Sequence, residues 1–120
     1  MTAKILIVED EPVLASGIRR FLLLMGFQFV ECAGSVKKAL SMMDEADYDI
    51  AVLDLNLRGE SAEPVAKALR QKGRPFVLMS GYDPSGCPAG LSDAPFFSKP
   101  VDPNKLAAVL RRMLEKSNAA

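Results

Sequence analysis

There is no histidine in this 120-residue chain. That absence removes His-assisted nucleophilic catalysis and most zinc chemistry, and the chain can carry no phosphohistidine of its own. Cysteine is nearly as scarce. Cys32 and Cys87 lie far apart, form no metal-ligand or redox spacing, and read as reduced thiols of a cytosolic protein. Fifteen basic residues balance fifteen acidic ones, so no overall attraction to nucleic acid or to a membrane surface is expected. No apolar run approaches the roughly 20 residues that span a bilayer. The apolar stretch Ile5 to Val8 is too short for a signal peptide. The expectation is a cytoplasmic chain forming one domain over 1–120, because this length builds one core and not two.

What is present is a regular alternation of strand and helix signals. Lys4–Val8, Ile50–Leu53 and Phe76–Met79 are short apolar runs with the pattern of strands buried on both faces. Phe27–Cys32 alternates more and suits a strand nearer an edge; Ala94–Ser98 is short, with Pro95 limiting its ladder. Pro12 opens a helix carrying Leu14, Ile18, Phe21, Leu22 and Met25 at helical spacing until Gly26 stops it. Ser35 can cap a second helix, a third runs from about Ala62 to Gln71, and Asp102-Pro103 starts the last. This is an α/β pattern, a doubly wound five-stranded parallel sheet in the flavodoxin-like order 2-1-3-4-5. One link differs. Residues 81–95 hold three prolines and three glycines without helical periodicity, so the helix between strands four and five is expected to be reduced or replaced by a loop with at most one turn.

The chemistry-bearing residues sit where the strands end. Glu9 and Asp10 close the first run, Asp54 the third, Ser80 the fourth, and Lys99-Pro100 the fifth. Ligands of open α/β sheets bind beyond the carboxyl ends of the strands, where strand order reverses, here between the first and third. Three carboxylates then share a small volume. At an effective dielectric of about 20, two like charges about 4 Å apart repel by roughly 4 kcal/mol, so the cluster calls for a cation. Hard oxygen ligands with room for water suit Mg²⁺. Each residue alone has an ordinary reading: helix N-cap, turn carboxylate, strand-end hydroxyl, surface turn. Their joint placement is what carries weight.

The motifs Ile-Val-Glu9-Asp10-Glu, Leu-Asp54-Leu-Asn, Met-Ser80-Gly and Ser-Lys99-Pro make the chain resemble, over nearly its whole length, a receiver domain of two-component response regulators. The resemblance implies Asp54 as phosphoacceptor. It implies Mg²⁺ held by Asp10, Asp54 and the Asn56 carbonyl, with Glu9 acting through metal-bound water. The phosphoryl oxygens would be met by Ser80, Lys99 and backbone amides near Asn56 and Gly81. A cis bond before Pro100 would aim the Lys99 ammonium inward. It further implies a histidine kinase as donor and a downstream protein or phosphotransfer partner as recipient. The stretch Arg74 to Tyr82 resembles the divergent FATGUY receivers, commonly stand-alone and associated with HWE-type kinases, with Ser80 replacing their threonine.

Phe96 stands at the aromatic switch position and equally suits a buried core aromatic; Tyr82 suits a cover over the site or a loop anchor. Phosphorylation is expected to order the 81–95 segment. The function expected is a single-domain switch, without an output domain, that signals through a partner protein or acts as a phosphate sink or relay, and that catalyses its own phosphoryl transfer and dephosphorylation rather than being a turnover enzyme. A Mg²⁺-dependent aspartyl phosphohydrolase would need a second Asp where Asn56 stands. A phosphorylation-independent interaction module has no use for the full acidic, hydroxyl and ammonium set. On charge grounds Asp54→Asn is expected to raise metal-free stability while weakening Mg²⁺ binding.

Overall fold

A computed structural model describes residues 2–81, 89–91 and 93–118. The apolar runs form the strands expected of them: β1 (Lys4–Val8), β3 (Ile50–Asp54) and β6 (Phe76–Ser80), the last two buried at every residue. Edge positions go to β2 (Phe29–Ala33) and the short β7 (Phe96–Ser98). The parallel sheet has the order β2-β1-β3-β6-β7. That is the expected 2-1-3-4-5 order once a small antiparallel hairpin, β4 (Asn56–Leu57) and β5 (Glu60–Ser61), is set aside.

Strand alternation sorts the core onto two faces. Ile5, Ile7, Ile50, Val52, Val77 and Met79 pack with α1 (Pro12–Leu24) and α4 (Pro103–Asn118). Their strand neighbours Leu6, Val8, Ala51, Leu53, Phe76 and Leu78 pack with α2 (Val36–Glu45) and α3 (Glu63–Gln71). Because both faces are covered, these strands are apolar throughout rather than alternating. The helix starts follow their local chemistry. Ser35 Oγ accepts from the Lys38 N–H at 3.1 Å, and Asp102 Oδ1 accepts from the Asn104 N–H at 3.0 Å. Each such cap contributes about 1 kcal/mol. Gly26, at φ 101°, ends α1 in a conformation that side chains disfavour.

Two details differ from the sequence pattern. The second strand starts at Phe29, not Phe27. The Phe27 N–H donates to Leu22 O at 3.1 Å, so this residue closes the end of α1, and its ring lies 5.2 Å from the Arg111 guanidinium on α4. Its hydrophobicity signals core, not strand. In the β6–β7 connection, Ala89–Leu91 form one 3₁₀ turn, and no α-helix lies there among the described residues. Tyr82 and most of the segment expected to order on phosphorylation lie outside the described residues. No helix among the described residues is long and apolar enough to cross a membrane.

Candidate functional site

Four strands bring the site together at their carboxyl ends. Glu9 follows β1, fixed by its backbone N–H to Ala33 O at 3.0 Å; Asp54 ends β3 and Ser80 ends β6. Lys99 follows β7, and its N–H donates to Ser80 O at 2.8 Å. Among the described residues, Glu9, Asp54 and Ser80 are the buried polar side chains, and all three lie at this edge. Burial of a polar group is costly unless it has partners, so such a cluster marks a site rather than ordinary packing.

One oxygen from each of Glu9, Asp10 and Asp54 lies within 4.8 Å of the others. The sequence puts the Lys99 ammonium at this edge and calls for a divalent cation against the triad; in the structure two cations of the chain itself, Lys99 and Arg58, reach it. Lys99 Nζ lies 2.7 Å from Asp54 Oδ2 and 3.0 and 3.2 Å from the two Glu9 oxygens. Arg58 Nε lies 3.3 Å from Asp10 Oδ2. Burial pushes the Glu9 carboxyl up to about 7, and its hydrogen bond with Asp54 adds to the rise while Lys99 opposes it. Burial also disfavours the Lys99 ammonium, yet its hydrogen bonds to Asp54 and Glu9 outweigh that and hold it above the usual lysine range.

The segment after Asp54 is where local sequence shapes the site most. Leu57-Arg58-Gly59-Glu60 closes the β4–β5 hairpin in two residues, with φ of 53° at Arg58 and 85° at Gly59. Positive φ at both positions suits the twist of a tight hairpin. Asn56 anchors its base: its N–H donates to Asp54 Oδ1 at 3.1 Å, and its Oδ1 accepts from the Gly59 N–H at 2.7 Å. The Asn56 amide therefore holds the turn that carries Arg58 back toward Asp10.

The remaining sequence-predicted residues fall as follows. Gly81 is exposed beside Ser80, and the Lys99-Pro100 bond is cis. Phe96 is half-buried against the core face that packs α2 and α3. Tyr82 lies outside the described residues. Sequence reasoning missed Arg58. The only signal was a basic residue before Gly59, a weak one, since tight hairpins more often announce themselves with Asn-Gly or Asp-Gly.

Three clustered carboxylates, all hard oxygen donors, fit a small divalent cation such as Mg²⁺. The response regulator receiver domain model matches residues 5–111. The chain is 31% identical to the nitrate/nitrite response regulator protein NarP of Escherichia coli K12, over 90% of this chain and 53% of that protein. It is 29% identical to the regulatory protein VanR of Enterococcus faecium, over 97% of this chain and 52% of that protein. The chain thus spans about half the length of these curated relatives. Among solved structures, SdrG from Sphingomonas melonis Fr1 aligns with a TM-score of 0.80 at 35% identity, over 94% of this chain and 97% of that one. A CheY-like receiver domain from Methylobacillus flagellatus aligns with a TM-score of 0.80 at 29% identity, over 94% and 99% of the two chains.

Proposed function

The chain belongs to the response regulator receiver domain family, and from that premise we propose that Asp54 accepts a phosphoryl group from a histidine kinase in a Mg²⁺-dependent reaction. Receivers of this family are phosphoacceptor modules of two-component systems rather than turnover enzymes. The observation that carries the assignment of Asp54 is its place: a buried carboxylate at the end of a central strand, with the Lys99 ammonium 2.7 Å from one oxygen.

An Asp54 carboxylate oxygen attacks phosphorus, the P–N bond to the donor imidazole breaks, and the ring leaves as neutral imidazole once protonated. The product is an acyl phosphate. Such transfer is mainly positioning and charge neutralisation. Glu9, Asp10, Asp54 and the Asn56 carbonyl would hold Mg²⁺, which supplies charge neutralisation for the transferring group. Lys99 is placed to move its ammonium from Asp54 onto a phosphoryl oxygen. Ser80 offers a hydroxyl, and the Asn56 and Gly81 amides offer backbone donors. SdrG is known in a BeF3-activated conformation, which supports the reading that a receiver this similar responds to a phosphoryl mimic.

The phosphorylated state passes its signal to a downstream protein or a phosphotransfer partner in the cytoplasm, with an HWE-type kinase as donor. Ser80, Phe96 and Pro100, with Tyr82, tune the response. Incubation with Mg²⁺ and acetyl phosphate, followed at once by intact mass, tests the assignment. Wild-type protein gains the mass of one phosphoryl group and Asp54→Asn gains none. Modification retained in Asp54→Asn would overturn it.

A further inference from the structure

We infer that Arg58 is a built-in competitor of the divalent cation: in the metal-free protein its guanidinium occupies Asp10, and it is displaced when Mg²⁺ binds. This rests on the reading of Glu9, Asp10 and Asp54 as the metal site. The inner side of the triad is already covered, because Lys99 takes Glu9 and Asp54 together. Asp10 is the one carboxylate for which no contact with Lys99 is seen, and its Oδ2 meets Arg58 Nε at 3.3 Å instead.

The geometry makes this pair displaceable. Arg58 stands at the tip of the β4–β5 hairpin with 79% of its side chain exposed, whereas that of Asp10 is only 14% exposed. A guanidinium that leaves Asp10 returns to water at little cost. The Asp10 carboxylate keeps its place at the site, where a divalent cation can take over the oxygen that the arginine leaves. The hairpin that positions Arg58 begins at Asn56, whose N–H holds Asp54 and whose side chain holds Gly59. The competitor and the residue that would offer the metal a carbonyl therefore share one hydrogen-bonded turn, which couples occupancy of the site to the position of its tip.

The test is calorimetric titration of MgCl₂ into metal-free protein at fixed ionic strength, comparing wild type with Arg58→Asn and Arg58→Gln. Asn is chosen because it accepts the positive φ of this turn. Loss of an exposed ion pair corresponds to a change of about two- to fivefold, so both variants are expected to bind Mg²⁺ tighter by about that factor. The difference should close in roughly 0.5 M NaCl, where exposed charges are screened. In wild type, the Arg58 Nε–H resonance should shift with the same midpoint as the heat of binding. Equal or weaker binding in either variant, or an Nε–H signal unmoved by saturating Mg²⁺, would overturn the competition. Absence of Mg²⁺ binding in wild type and variants alike would instead overturn the metal site itself, and the competition with it.

Discussion

The inner and outer halves of this site hold the same kind of charge by different means. Inside, Glu9 and Asp54 are buried at strand ends and share Lys99, with distances of 2.7 to 3.2 Å fixed by three strands of the sheet. Outside, Asp10, just beyond β1, meets Arg58 of the two-residue hairpin turn at 3.3 Å, with the arginine mostly in water. Buried charges cost several kcal/mol each to desolvate, so their partner is indispensable. Exposed pairs contribute about 0–1 kcal/mol and are replaceable. The inner half is thus suited to fix geometry, and the outer half to exchange partners.

The strongest way to break this contrast is to remove the inner cation. Lys99→Met leaves two buried carboxylates facing each other and is expected to cost about 3–5 kcal/mol of metal-free stability at pH 8, measured by urea unfolding in EDTA. A loss below about 0.5 kcal/mol would show that the inner half is as solvated as the outer one.

Next in size is the effect of pH, again in metal-free protein. Glu9 is raised from 4.5 to about 7, so between those values the folded state holds more protons than the unfolded one. Stability therefore falls as pH rises through that window and levels off above it. Glu9→Gln should flatten this part of the curve. A wild-type profile in EDTA that climbs from pH 5 to 7, with the same slope in Glu9→Gln, would contradict the raised titration of this buried carboxylate.

These two tests concern residues that the sequence made visible. Glu9, Asp54, Ser80 and Lys99 each terminate an apolar run, and a parallel sheet aligns such points at one edge, so periodicity alone located them. The caps Ser35 and Asp102 were legible for the same reason, as local chemistry beside a periodic segment. The β4–β5 hairpin was not. Its two-residue strands are too short for any period, and Arg58-Gly59 is an uncommon pair for such a turn. Phe27 misled in a different way, since its apolar side chain fits both a strand and the closure of α1 against α4. The charge state of the site was also beyond the pattern. Which lysine or arginine answers which carboxylate depends on distances between residues up to ninety positions apart.

With Lys99 against the carboxylates, Asp54→Asn has a smaller effect than three bare charges would give. A bare triad would gain much from losing one charge. Here the substitution removes the repulsion with Glu9 and also the shortest partner of Lys99, two terms of opposite sign. Metal-free stability should rise by less than about 1 kcal/mol, while the stabilisation gained on adding Mg²⁺ shrinks. Melting curves with and without Mg²⁺ provide the check. A rise of several kcal/mol would mean that Lys99 does not balance the cluster.

The smallest expected effect bears most directly on the contrast. Arg58→Asn removes only the outer pair, so metal-free stability should fall by no more than about 0.5 kcal/mol. In saturating Mg²⁺ the two proteins should be equally stable, because Arg58 has already left Asp10 in that state. Urea unfolding in the two conditions separates this from a structural role. A cost above about 1.5 kcal/mol that persists in Mg²⁺ would make Arg58 an anchor of the hairpin and erase the difference between the halves. A small cost confined to the metal-free protein would leave the inner ions as the frame of the site and the arginine as the group that yields its place.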